Sequence, residues 1–412
     1  MDHAAVIASP AAARWRTGWL VSGLGIAQIL SWGSTYYLAA VLAKPIADDT
    51  GWSLGHVVAG LSLGLLIWGL SAPRVGRLIE RFGGRPVLTA SAGLFAAGLA
   101  LVAASPSLVI YLAGWVVIGL GMGAGLYDAA FSSLGRLYGE TARGPITMLT
   151  LWGGFASTAC WPLSAWLVQS IGWRGTCLVY AGVHLLVVLP LYLAAMPREA
   201  ERRPAKPVTR SPGPATPSRP PTHRLLFGLL AVILVVEGMI SSLWSVHVLT
   251  ILQAGGVSLA TAVAFGTLIG PSQVAARVVE MAIGRYHHPI WTLVASVALV
   301  AAGVVLLWSG FSILVVGLVC YGTGIGIFSI ARGTVPLALF GASGYATLMG
   351  RLVMPSLIAQ AAAPSIGAVL LETLGANSTL AFLAAIAVAN VALVGVLWGA
   401  FRSTRAANAE PS

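Results

Sequence analysis

Two carboxylates stand inside long apolar runs. Glu237 lies in "LLAVILVVEGMISSLW" and Asp128 in "GLYDAAF". Counting from the start of its run, Glu237 is about 12 residues in, hence about 18 Å deep at 1.5 Å per residue. An ionisable side chain at that depth costs about 2.5–3.5 kcal/mol on insertion scales and is by default functional. A carboxylate held there can take up and release a proton, as a coupling site must. The alternative is a protonated Glu making a structural bond between helices. Asp128 sits about 8 residues from the end of its run, near enough to reach water or a basic partner, so it reads as gate or structure.

Spacing adds companions to these two. Gln28, Trp32 and Tyr36 recur every four residues and share one helix face, as do Glu237, Ser241, Trp244 and Ser245. If both faces turn inward they form aromatic walls with a few polar groups, the usual composition of a small-molecule site. Trp52, Trp173 and Trp398 fit an interfacial belt instead. His184 reads as structural, His247 as a pathway candidate, and His287 and His288 as loop residues without metal-ligand companions. Cys160, Cys177 and Cys320 all lie in apolar segments, where free cysteines pack as small hydrophobes. No phosphate-binding loop and no nucleophile-and-base motif occurs. The sequence therefore argues against an enzyme and calls for no metal and no cofactor.

The elements that position these residues are membrane helices. Of 412 residues, 58% are apolar and 8% charged, against roughly 45–50% and about 25% in soluble domains. Mean hydropathy is +0.88. Runs such as "LSLGLLIWGLSAP" are apolar on every side, unlike the alternating strands of a β-barrel. Windows of about 20 residues place spans 1 to 6 near 17–42, 54–73, 86–104, 107–135, 145–169 and 173–196. Spans 7 to 12 follow near 225–252, 258–276, 289–309, 311–333, 344–371 and 377–400. The first run exceeds a signal-peptide core and has no small-residue cleavage pattern, so it is read as a retained span. Residues 1–196 and 225–412 form two six-helix units. Between them, residues 197–224 are rich in Pro and Arg and read as a flexible polar linker. The net charge of +11 follows topology and makes no stripe for nucleic acid. With a cytoplasmic amino terminus, all of the 23 Lys and Arg except Lys44 and Arg174 fall on the cytoplasmic side. The positive-inside rule then puts both termini in the cytoplasm.

The halves echo each other. Arg77, Glu80, Gly84 and Arg85 of "GRLIERFGGR" reappear 200 positions later as Arg277, Glu280, Gly284 and Arg285 of "ARVVEMAIGR". "GWSLG" at 51–55 is echoed by "GVSLA" at 256–260, and Gly121, Gly123 and Gly125 by Gly322, Gly324 and Gly326. Matches in one order at corresponding spans indicate an internal duplication, common in transporters.

On these residues the chain resembles the major facilitator superfamily, over its whole length apart from linker and tails. Gly76, Glu80, Arg81, Gly83 and Arg85 fill that superfamily's signature between helices 2 and 3, with Glu where Asp is usual. The resemblance implies an all-α membrane fold of 12 helices in two pseudo-symmetric six-helix bundles that rock about a midplane site. Spans 1, 4, 7 and 10 would line the cavity and spans 3, 6, 9 and 12 would face lipid. The stretch from Gly51 to Val87 is similar to the branch of oxalate/formate antiporters and monocarboxylate transporters. The helix-8 position where that branch carries a carboxylate-binding Arg holds Ser272 and Gln273 here, which makes Gln273 a pathway candidate.

The function implied is secondary transport of a small organic solute across the cytoplasmic (inner) membrane, coupled to protons through Glu237. A monocarboxylate-like metabolite is one candidate cargo. Export of drugs or toxic compounds, and solute reception without transport, are the alternatives. Expected partners are the solute, protons and the lipid bilayer, with the protein a monomer. The cytoplasmic gate is assigned to Gly76, Glu80, Arg81, Arg85, Arg136, Arg277, Glu280, Arg285 and Arg332. Within it, Glu80 is expected to pair with Arg136, and Glu280 with Arg332.

Overall fold

The computed structural model describes residues 10–198, 221–310 and 314–407. Residues 199–220 of the expected linker lie outside the described residues. Among the described residues eight helical segments are long and apolar enough to cross a membrane, but Leu108–Ala195 runs 88 residues and Tyr345–Ser403 runs 59. Since about 20 residues cross the hydrocarbon core, both must double back. The first does so at the 3₁₀ turn Gly139–Ala142 and at Gly172, the second at Gly375. With span 8, which is interrupted between Leu259–Gly266 and Ile269–Ile283, the chain crosses twelve times, as its hydropathy predicts.

Span 1 is Pro10–Gly33 continued by Leu38–Thr50, span 2 is Leu54–Phe82 and span 3 is Gly84–Ala103. Span 4 is Leu108–Gly125 with Tyr127–Tyr138. Spans 5 and 6 run from Arg143 to Ala195 through the Gly172 turn. In the second half, span 7 is Pro221–Ala254, span 9 is Pro289–Ser309 and span 10 is Leu314–Phe340, with spans 11 and 12 sharing Tyr345–Ala407. Span 10 continues past the expected end at 333 because "GTVPLALF" remains apolar. Arg332 is thereby placed two turns inside the helix.

Gly172 (φ 72, ψ 173) and Gly375 (φ 79, ψ 171) turn spans 5 to 6 and 11 to 12. That backbone region is essentially restricted to glycine. The same device at corresponding turns carries the duplication from sequence into structure.

Across the halves, span 2 packs on span 11 and span 5 on span 8. At the first crossing the backbones touch. A Cβ on Gly76 would overlap the Ala346 carbonyl oxygen, and one on Gly350 would overlap the Ala72 carbonyl oxygen. Lipid tails supply no hydrophobic drive between helices, so close approach through small residues is what holds such a crossing. Gly76, Arg85 and Arg285 mark one end of the molecule, called the loop end.

Candidate functional site

Helix breaks position the polar groups between the halves. Span 4 is interrupted after Gly125, whose freed carbonyl accepts a 2.6 Å bond from Gln28 Nε2. Beyond that break Asp128 opens the next helical turn, in the acidic position favoured by the helix dipole. Its Oδ2 accepts from Arg332 Nη2 of span 10 at 2.6 Å. The pair is nearly closed to solvent, with side-chain exposures of 15% for Arg332 and 6% for Asp128. Arg332 also lies 6.0 Å from the Trp68 ring centroid.

Arg332 therefore pairs with Asp128, not with Glu280 as the repeat suggests. Depth is the reason, since Glu280 stands near the end of span 8 and Arg332 lies farther in. Glu280 instead meets Arg143 at the start of span 5 (3.3 Å), Thr292 Oγ1 donates to it at 2.7 Å, and His287 Nε2 lies 3.5 Å from its other oxygen. Arg143 also donates to the His287 carbonyl at 2.5 Å. On the other side of the loop end, Arg136 Nη1 donates to the Ile79 and Glu80 carbonyls. Arg85 donates to the Leu193 carbonyl at 2.7 Å. Arg81 lies over Phe82 and Arg285 over Tyr286, both at the surface.

Arg277 departs furthest from its expected place. It is 5% exposed, in span 8 one helical turn from Gln273. Its Nε donates to the Gly326 carbonyl (3.0 Å), Nη1 to the Thr150 carbonyl of span 5 (3.1 Å) and Nη2 to Gln273 Oε1 (3.4 Å). Among the described residues no carboxylate pairs with it. Tyr127 donates to the same Thr150 oxygen at 3.3 Å, and the hydroxyls of Tyr37 and Tyr127 lie within electrostatic range of the guanidinium. It is an internal cation, about 9 Å from its helix end at 1.5 Å per residue, deeper than the loop-end position expected for it.

Beside it stands an aromatic wall. Trp32 packs on Tyr36 (5.5 Å between centroids), Tyr37 (6.2 Å), Trp68 (5.9 Å) and Tyr127 (5.2 Å). Trp32, Tyr36 and Tyr37 remain half-buried, as do Ser241 and Gln273, and Ser245 is exposed, so accessible space remains where Tyr36 of span 1 faces Ser245 of span 7. The Tyr36 hydroxyl faces Ser245 of span 7.

Gln28, Trp244 and Glu237 do not line that space. Gln28 is fully buried within the first half, and Trp244 packs on Tyr321 at 5.3 Å. Glu237 is fully buried, and its Oε2 accepts from Asn390 Nδ2 of span 12 at 3.0 Å. Its Oε1 has no hydrogen-bond partner among the described residues. The four-residue spacing is real, but Gln28 and Glu237 turn into the packing of their own halves. Spans 6 and 12 likewise direct polar groups inward: His184 bonds Ser34 at 2.7 Å and stacks on Phe95 at 4.8 Å. His247 donates to the Pro364 carbonyl at 2.8 Å.

Asn390, Arg143, Tyr37 and Tyr127 escape sequence reasoning. A lone amide inside "AIAVANVALVGV" is the legible signal for Asn390, because amides in membrane spans seek partners across helices. Arg143 looks, in sequence, like one more loop cation.

The profile of the Major Facilitator Superfamily matches residues 24–286. YhjX of Escherichia coli K12, described as an uncharacterized MFS-type transporter, is 28% identical over 198 residues, 47% of this chain and 46% of its own. The chain spans less than half the length of the curated relatives it matches. The human organic anion transporter MFSD10 superposes with TM-score 0.67 at 17% identity, covering 92% of this chain and 99% of its own. The transporter FucP, in the outward conformation, gives 0.69 at 14% identity over 92% and 98%. At such identities the likeness shows the fold.

Proposed function

We propose that this chain, which belongs to the Major Facilitator Superfamily, is a secondary transporter of small organic anions, with a monocarboxylate as the simplest cargo. The observation that carries this reading is Arg277. A guanidinium keeps its charge at any physiological pH, and a buried charge without a counterion is strongly destabilising. Neutral carbonyls and one amide solvate it only in part, so an incoming carboxylate supplies the missing charge. Two parallel N–H···O bonds would orient that carboxylate.

The arrangement also supports a route from binding to movement. Arg277 of the second half bonds the Thr150 carbonyl of the first. A carboxylate that takes over Nη1 removes one link between the halves. Links that remain on the loop-end side include Asp128–Arg332 and Arg143–Glu280. When they break, residues 1–196 and 225–412 rock about the site, with linker 197–224 between them, and the loop end opens. Within the first half, Glu80 with Arg136 braces spans 2 and 4 at the same end. By the positive-inside bias the loop end faces the cytoplasm; we further take the membrane to be the inner one and the protein to be a monomer.

Glu237 carries the coupling proton. It lies on span 7 apart from the substrate space, so its protonation acts through the packing of spans 7, 10 and 12 and not through contact with cargo. Counterflow in proteoliposomes tests the assignment. Lactate or benzoate inside should drive uptake of the labelled acid, whereas preference for a cationic dye would favour drug export. Saturable binding without counterflow would make the protein a receptor.

A further inference from the structure

Resting on the assignment of Arg277 as the anion's partner, we infer that the preferred cargo is an aromatic carboxylate: a flat ring whose carboxylate meets Arg277 while its face meets Trp32, Tyr36 and Tyr37.

The basis is the composition of the space around the cation. Trp32 is the hub, with four ring neighbours between 5.2 and 6.2 Å away. Tyr36 and Tyr37 stand edge to face at 5.4 Å, and Tyr37 meets Trp161 in the same way at 6.1 Å. Trp32, Tyr36 and Tyr37 keep part of their surface accessible although they lie deep in the bundle, and Tyr36 faces Ser245 across the halves. The same wall reaches the cation through Tyr127, which shares the Thr150 oxygen with Arg277. Facing Tyr36 from the second half is the small hydroxyl of Ser245. A short aliphatic acid would satisfy Arg277 and leave the wall unused, whereas a saturated ring would fill the volume without complementary ring edges. Aromatic rings prefer edge-to-face and offset geometry, which this wall presents.

Benzoate and cyclohexanecarboxylate separate these terms. They have the same carbon skeleton and both are ionised at neutral pH, but the saturated acid is the more hydrophobic. Simple apolar burial would favour it. Affinities for the purified full-length protein would be measured by calorimetry or thermal shift, with lactate as the short aliphatic acid. The expected result is benzoate tighter than cyclohexanecarboxylate by about 3- to 10-fold, the worth of one good aromatic contact. Trp32→Leu, or Tyr37→Leu if the first variant does not fold, should bring that ratio towards one. Equal or reversed affinities, with both acids lost in Arg277→Gln, would overturn the aromatic preference and leave the anion site standing. If no carboxylate binds, or if binding is indifferent to Arg277→Gln, the anion site itself falls and the aromatic inference with it.

Discussion

Arg277 and Tyr127 donate to one backbone oxygen, that of Thr150, at 3.1 and 3.3 Å. The arrangement fixes a cation of span 8 against the first half through neutral partners alone. Such a contact is strong enough to hold the guanidinium in place and weak enough to yield to a carboxylate. Hydrogen bonds to charged groups contribute about 1.5–3 kcal/mol, and a carboxylate that forms two of them gains on that scale.

Replacing Arg277 by Gln should weaken carboxylate binding by roughly 10- to 100-fold, while the protein keeps its helical content and elutes as the wild type does. Arg277→Lys should fall between the two, because an ammonium cannot match a carboxylate bidentately. Calorimetric titration with benzoate checks both. A Lys variant as tight as wild type would rule out forked recognition.

Asp128 and Arg332 should behave as a coupled latch. Removing one member of a buried pair strands the other, at about 3–5 kcal/mol. Asp128→Asn and Arg332→Gln should each shift the molecule towards the loop-end-open state. The double variant should be less perturbed than the two single effects added together. Spin labels at the exposed positions Glu140 and Ser343, in the loops after spans 4 and 10, would report the populations. Additive effects would mean that the pair does not act as a unit.

Much of this architecture can be read from the residues. Twelve apolar runs, a paired "GRLIERFGGR" and "ARVVEMAIGR", and the matching glycine ladders of spans 4 and 10 are local patterns, so the duplication and the fold are legible. Pairing is not local. Arg332 is equivalent to Arg136 by repeat, yet its helix continues to Phe340 and places it opposite Asp128. Arg277 is equivalent by repeat to exposed Arg77, but packing against span 5 buries it. Glu237 is legible because a lone carboxylate in an apolar run is costly. Its partner Asn390 depends on which face of span 12 turns inward, and hydropathy does not record that.

Glu237 should govern coupling and leave the binding step intact. In proteoliposomes, Glu237→Gln is expected to retain counterflow and lose the response to an imposed pH gradient. Asn390→Leu removes the donor to Glu237 and should alter that response as well. If Glu237→Gln still accumulates benzoate against its gradient when the pH gradient is applied, the carboxylate has only a structural role.

Gly76 should be intolerant of any side chain. A Cβ there would overlap the Ala346 carbonyl oxygen, so Gly76→Val must hold spans 2 and 11 apart at the loop end. The label pair at 140 and 343 should then read a longer mean distance, with transport abolished. An unchanged distance and full transport would mean that the crossing relaxes freely.

The most direct test of anion transport through Arg277 is benzoate counterflow by wild type and Arg277→Gln, reconstituted at equal protein density without ATP. Saturable counterflow is expected from the wild type, with its loss, by at least about 10-fold, in the variant. Equal counterflow by both proteins, or saturable benzoate binding by the wild type with no counterflow at all, would contradict that assignment.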